Sequence, residues 1–181
     1  MSTDPIRVPD LTERPHRLIV DRTMLACEHT LYTAWTEEFD RWFAAPGSVV
    51  MTAEVNAPFF FETEFTKEPG APLTRHPHYG RFLRLVPDRL VELTWVTGRA
   101  GTAGDETVVT VELLPHPIGT HLRLTHAGFY DEAARDNHES AWQQVLANQD
   151  EVLGVSAEDA AEDAGEDAGE GDVRGAAEDS G

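Results

Sequence analysis

The chain has one cysteine in 181 residues, a single lysine among fourteen basic residues, and no long apolar run. A lone Cys27 has no second thiol for an intrachain disulfide and no partner for a zinc knuckle, so a reducing cytoplasmic setting fits best. No stretch approaches the roughly 18 to 20 consecutive apolar residues of a spanning helix. The opening Met1-Ser2-Thr3-Asp4-Pro5 lacks the apolar core of an export signal. Positive charge is also scarce, with 14 Lys and Arg against 33 Asp and Glu and a formal net charge of -19. A surface of that sign repels phosphate backbones and anionic lipid, which argues against nucleic-acid and membrane partners. The strong preference for Arg over Lys suggests a GC-rich bacterial source.

Catalytic signatures are missing as well. There is no Gly-x-Ser-x-Gly elbow, no phosphate-cradling glycine loop and no dinucleotide fingerprint, and Cys27 has no obvious histidine partner in a nucleophile motif. His76-Pro77-His78 is the only close histidine pair, and it falls in a proline-rich loop without added ligands at metal-binding spacing. No metal and no cofactor is expected, and no catalytic residue is assigned.

What is present is a single globular unit between two tails. Residues 1–15 hold three prolines and no periodicity, which predicts a flexible leader. Residues 154–181 carry ten acidic residues against Arg174, with no large apolar side chain to offset the ordering entropy beyond Val155 and Val173, which predicts a disordered acidic tail. Residues 16–153 form the domain.

Within it, apolar and polar residues alternate with period two, separated by turn residues, as in an antiparallel sheet with one buried face. Leu18 to Met24 is the first such segment. Met51, Ala53 and Val55 follow, then Phe59, Phe61, Thr63 and Phe65, then Arg81, Leu83 and Leu85, then Val91, Leu93 and Trp95, then Val109, Val111 and Leu113, and last Leu122, Leu124 and His126. About seven strands result. Two short helices are expected between Thr30 and Phe43, broken near Glu37-Glu38. A long one is expected from Asp131 to Leu153, with Asp131 as N-cap, Gly154 as stop, and Ala134, His138, Ala141, Trp142, Val145, Gln149 and Val152 on one stripe.

The fold class is therefore α+β. A curved antiparallel sheet can wrap a long C-terminal helix and leave space where its curvature outruns side-chain volume. Alternation turns His126 inward near the end of that space, either as a hydrogen-bonded core histidine or as a group that orients a ligand or moves a proton. Arg81 shares the parity of Leu83 and Leu85, so it is either a cavity cation or a strand-end residue whose head reaches solvent. Trp95 and Trp142, with Phe61 and Phe129, are core anchors that can also wall an apolar cavity.

Particular residues carry a family likeness. Arg22-Thr23, Ala34-Trp35-Thr36, Arg41-Trp42-Phe43, Gly80-Arg81-Phe82, Pro87-Asp88-Arg89, Thr94-Trp95 and above all the run from His126 through Gly128-Phe129, Asp131-Glu132 and His138-Glu139 to Trp142 are similar to bacterial homologues of the activator of the heat-shock-protein-90 ATPase. These belong to the START-like, helix-grip superfamily also called SRPBCC, and the resemblance spans about Arg17 to Leu153. It departs at Cys27, where a proline is usual, at Tyr32 in place of a frequent Trp, in a short connection from Thr36 to Trp42, and in a long loop from Lys67 to His78. The resemblance implies a helix-grip fold and an apolar or aromatic small molecule as ligand, with Phe61, Arg81, Trp95, His126, Phe129 and Trp142 as cavity candidates. It leaves two alternatives, a stress-related chaperone-interacting domain and an enzyme of the cyclase or aromatase kind.

Overall fold

The computed structural model describes residues 6–66, 69–98 and 101–166. The element order is β1 (His16–Met24), α1 (Glu28–Thr36), α2 (Phe39–Trp42), β2 (Pro58–Phe65), β3 (Thr74–Val86), β4 (Leu90–Thr97), β5 (Thr107–His116), β6 (Gly119–Phe129) and α3 (Glu132–Glu166). The strands make one antiparallel sheet in the order β1-β6-β5-β4-β3-β2, so every strand from β2 to β6 pairs with its sequence neighbour and β1 closes on the last of them. This is the expected α+β architecture, with α3 across the buried face of the sheet and the two short helices between β1 and β2.

The sheet has six strands in place of about seven. In the segment around Met51, Ala53 and Val55, Met51 and Ala53 are half-buried between exposed neighbours but Val55 is exposed, and only Val50 and Val55 form bridges, to Phe60 and Phe82. A turn from Thr52 to Glu54 and a left-handed Asn56 (φ 65°) break the ladder between them. The segment lies along β2, the edge strand, which it partly covers.

β3 begins earlier than the sequence pattern suggests, so His76-Pro77-His78 lies in a strand. Pro77 fits there because its partner on β2, Glu62, directs its main chain elsewhere. The Glu62 carbonyl accepts from Ala45 N at 2.7 Å and its N–H donates to Ser48 Oγ at 3.1 Å. On the other side, pairing with β4 runs only as far as His78↔Thr97, so the missing N–H costs no ladder bond.

α3 starts as expected. Asp131 Oδ1 accepts from Ala134 N at 2.8 Å, the geometry of an N-cap. The helix does not stop at Gly154 but runs on to Glu166. Gly154 is not in the left-handed conformation of a helix-ending glycine, and a Cβ there would stand 3.2 Å from the Leu25 side chain, so this glycine serves close packing of α3 against the end of β1. Asp150 secures the same corner, accepting from Leu25 N at 2.8 Å and pairing with Arg22 at 3.2 Å. Of the expected acidic tail, residues 154–166 belong to α3 and residues 167–181 lie outside the described residues.

Residues 6–15, the expected leader, run across the end of the sheet where β6 finishes. Arg14 donates to the Gly128 carbonyl and sits 5.8 Å from the Tyr130 ring, and Leu11 fills the space beside Gly128. Residues 1–5 lie outside the described residues. No helix among the described residues is long and apolar enough to cross a membrane.

Candidate functional site

At the end of the sheet where α3 begins, β2 and β4 finish and β3 and β5 start. The grip is open there. A cleft of about 370 Å³ lies between the strand ends and the first four turns of α3. Trp95 from β4 and Trp142 from α3 form its deep wall, with ring centroids 5.3 Å apart, and Phe43, Phe65 and Val145 supply further apolar surface. The volume and the aromatic lining fall in the range of small-molecule sites. Among the described lining residues none is Asp, Glu, Lys or Arg, and the polar side chains are His76, His78, His138, Thr63 and Thr97.

The six expected cavity residues separate into three groups. Trp95 and Trp142 line the cleft together. Phe61, His126 and Phe129 lie one layer behind it. Phe61 is fully buried, stacked on His78 at 4.8 Å and on Phe39 at 4.7 Å. Phe129 packs on His126 and His138 at 4.5 and 4.8 Å.

Arg81 forms the third group, because it faces away from the cleft. A bulge between Phe82 and Arg84 shifts the register of β3, so the inward set is His78, Gly80 and Phe82 before it and Leu83 and Leu85 after it. Arg81 therefore has the opposite parity to the one read from Leu83. Its guanidinium pairs with Glu106 at 3.0 Å and also donates to Asn56 and to the Arg7 carbonyl. It is not a cavity cation.

His126 does turn inward, and both its ring nitrogens are occupied. An indole N–H can only donate, so the 3.0 Å contact from Trp142 Nε1 makes Nδ1 of His126 the acceptor. Nε2 then carries the proton and donates to Thr107 Oγ1 at 2.7 Å, which in turn donates to the Trp95 carbonyl at 2.6 Å. This one-way chain connects α3, β6, β5 and β4 beneath the cleft floor. Burial, with a smaller contribution from His138, holds the His126 pKa well below its ordinary value. The arrangement positions Trp142. It offers no ring nitrogen to a ligand and no proton to a reaction.

The histidines that do reach the cleft are ones the sequence pattern concealed. His78 falls in the proline-rich segment that the pattern reads as a loop, and nothing in the sequence sets His138 apart from the other residues of the helix stripe. His78 Nδ1 donates to the His76 carbonyl at 3.0 Å, and His138 Nδ1 donates to the Ala134 carbonyl at 2.8 Å. Burial lowers the His78 pKa to about 4, and burial also lowers that of His138. Both are neutral at physiological pH. The signal available in the sequence was the parity of His78 with Gly80 and Phe82, visible only if the strand is extended back across Pro77.

Among the described residues no group of three or more His, Cys, Asp or Glu could hold a metal ion. Cys27 is exposed at the start of α1, with its thiol 3.3 Å from Thr30 Oγ1 and far in sequence and fold from the cleft lining.

Comparison with known proteins agrees with this fold. Solved structures share the fold at low identity. A protein from Chromobacterium violaceum is 24% identical with a TM-score of 0.63, over 76% of this chain and 96% of that one. A protein from Silicibacter pomeroyi is 17% identical with a TM-score of 0.62, over 78% and 99%. The Aha1 dimer from Colwellia psychrerythraea, a solution structure, is 16% identical with a TM-score of 0.57, over 77% and 97%. No curated protein matches. The sequence pattern of one family, described as activator of Hsp90 ATPase homolog 1-like protein, matches residues 27–154, which hold everything from α1 through the cleft-lining part of α3. With most of its length matched and the helix-grip fold in place, the chain belongs to the activator of Hsp90 ATPase homolog 1-like family.

Proposed function

We propose that this protein binds an apolar or aromatic small molecule in the cleft between the sheet and the start of α3, and works as a binding module. The observation that carries the reading is the Trp95–Trp142 wall of a 370 Å³ cleft that the fold leaves open. Aromatic surface held rigidly by the His126 chain gives contact area at little entropic cost. The two alternatives find less support. A chaperone-docking domain is better served by an exposed apolar face than by a concave one. The cyclase-like alternative rests on His126 or Arg81, and His126 has both nitrogens engaged while Arg81 faces outward.

A thermal-shift and native mass-spectrometry screen against lipids and aromatic metabolites tests the proposal, with Ala141→Trp as the control. Ala141 lines the cleft from the exposed side of α3, so an indole there enters the cleft without displacing the core. The variant should retain stability to within about 0.5 kcal/mol, as surface substitutions do. Every mass adduct and thermal shift seen with the parent should vanish. Ligands that bind the variant unchanged would place the site elsewhere.

A further inference from the structure

The chemistry of the cleft restricts which small molecules it suits, an inference that rests on the binding reading above. Its exposed imidazole nitrogens are acceptors. A carbonyl oxygen can only accept, so the bonds from His78 Nδ1 to His76 and from His138 Nδ1 to Ala134 place the proton of each neutral ring on Nδ1. Each Nε2 is left with a lone pair, and among the described residues neither has a hydrogen bond to any other group.

The side chains around the two rings leave little choice of direction. His78 is held flat against Phe61 (interplanar 6°), with Trp95 and Phe43 edge-on, so it can present only its free edge to the cleft. His138 is backed by His126 and Phe129, at 5.3 and 4.8 Å. The ring of His76 also lines the cleft, but its Nε2 is buried, has no partner among the described residues, and is not presented to a ligand. The Thr97 hydroxyl accepts from Thr102 N and keeps its own proton to donate, and the Thr63 hydroxyl can turn to donate or accept, so the acceptor bias rests on the two imidazoles.

We propose that the cleft selects neutral aromatic or apolar molecules that carry a hydrogen-bond donor, a phenolic or alcoholic hydroxyl above all, and that Nε2 of His78 or Nε2 of His138 receives it. A ligand of the same shape with no donor leaves buried nitrogens unpaired. A carboxylate brings acceptors to acceptors, with no cation among the described lining residues to hold it.

The test uses three probes with one ring system, 2-naphthol, 2-methoxynaphthalene and 2-naphthoate, titrated by calorimetry into the full chain at neutral pH. The expected order is 2-naphthol first, tighter than 2-methoxynaphthalene by about tenfold or more, with 2-naphthoate weakest. The double variant His78→Phe with His138→Leu, which keeps a ring stacked on Phe61, should shrink the naphthol advantage to within about twofold, with 2-methoxynaphthalene bound at least as tightly as by the parent, and one of the two single variants should account for most of that loss. That retained affinity also shows the variant to be folded. Equal binding of naphthol and its methyl ether, or tightest binding of the naphthoate, overturns the donor selection and leaves the cleft as a binding site. Binding of none of the three overturns both readings.

Discussion

Replacing His126 with Ala is expected to destabilise the domain by about 3–5 kcal/mol, as read from urea denaturation. The estimate sums a buried cavity and a buried indole N–H stripped of its acceptor. His126 is completely buried and the Trp142 ring is nearly so, so no water replaces the lost bond at low cost. His126→Leu separates the two contributions. It fills the space, leaves Thr107 bonded to the Trp95 carbonyl, and orphans only Trp142 Nε1, for an expected loss of about 1–3 kcal/mol. Trp142→Phe in the His126→Leu background should then cost less than it does alone, with a coupling of about 1–2 kcal/mol. Full additivity would mean that the chain beneath the cleft does not operate as a unit.

The second large effect is a fall in stability between pH 6.5 and 4, earlier than carboxylate titration would give. His78 has a folded-state pKa of about 4 against an ordinary value of 6.5, and burial is the principal cause. Its pKa is depressed, so the unfolded chain binds the proton first. The stabilisation from the neutral ring is fully present above about pH 6.5 and is lost progressively as the pH falls to 4, about 3 kcal/mol in all. His126 and His138, both shifted in the same direction by burial, deepen the loss. Asp10 and Asp21, whose pKa values are lowered by hydrogen bonds from Thr12 and Arg123 respectively, contribute only below their ordinary value of 3.8, outside this window. Denaturation at pH 7 and pH 5 should differ by about 2 kcal/mol from His78 alone, and His78→Phe should remove that portion. A parent protein equally stable at both values would contradict the burial of these rings.

The sequence made the architecture legible because burial follows period two in the strands and the i, i+3, i+4 stripe in α3, and these patterns dominate the core. Leu122, Leu124 and His126 are all fully buried on one face, as alternation requires, and Asp131 caps α3 as its residue type suggests. What was hidden depends on single-residue events that pattern does not record. One extra residue in β3 reversed the side on which Arg81 lies. Positive φ at Asn56 turned an alternating segment into a loop laid on the edge strand. Pro77 disguised a strand because the main chain of its partner, Glu62, is engaged by Ala45 and Ser48, a contact remote in sequence. Gly154 looked like a stop and proved to be a close-packing site. The same events decided the cleft. Its aromatic wall was readable from Trp95 and Trp142, whereas its histidines, His76, His78 and His138, came into view only with the true start of β3 and the packing of α3.

The central claim, that the space between sheet and helix receives a small aromatic molecule, is tested most directly by the indole N–H signals of the four tryptophans in ¹H–¹⁵N spectra, assigned by single Trp→Phe variants, during titration with 2-naphthol. The Trp95 and Trp142 signals should move together and saturably, Trp142 because its N–H donates into the His126 chain under the cleft, while Trp42, whose N–H donates to the Ala34 carbonyl behind the core, should change far less. A saturating titration that leaves Trp95 and Trp142 unmoved would contradict the account.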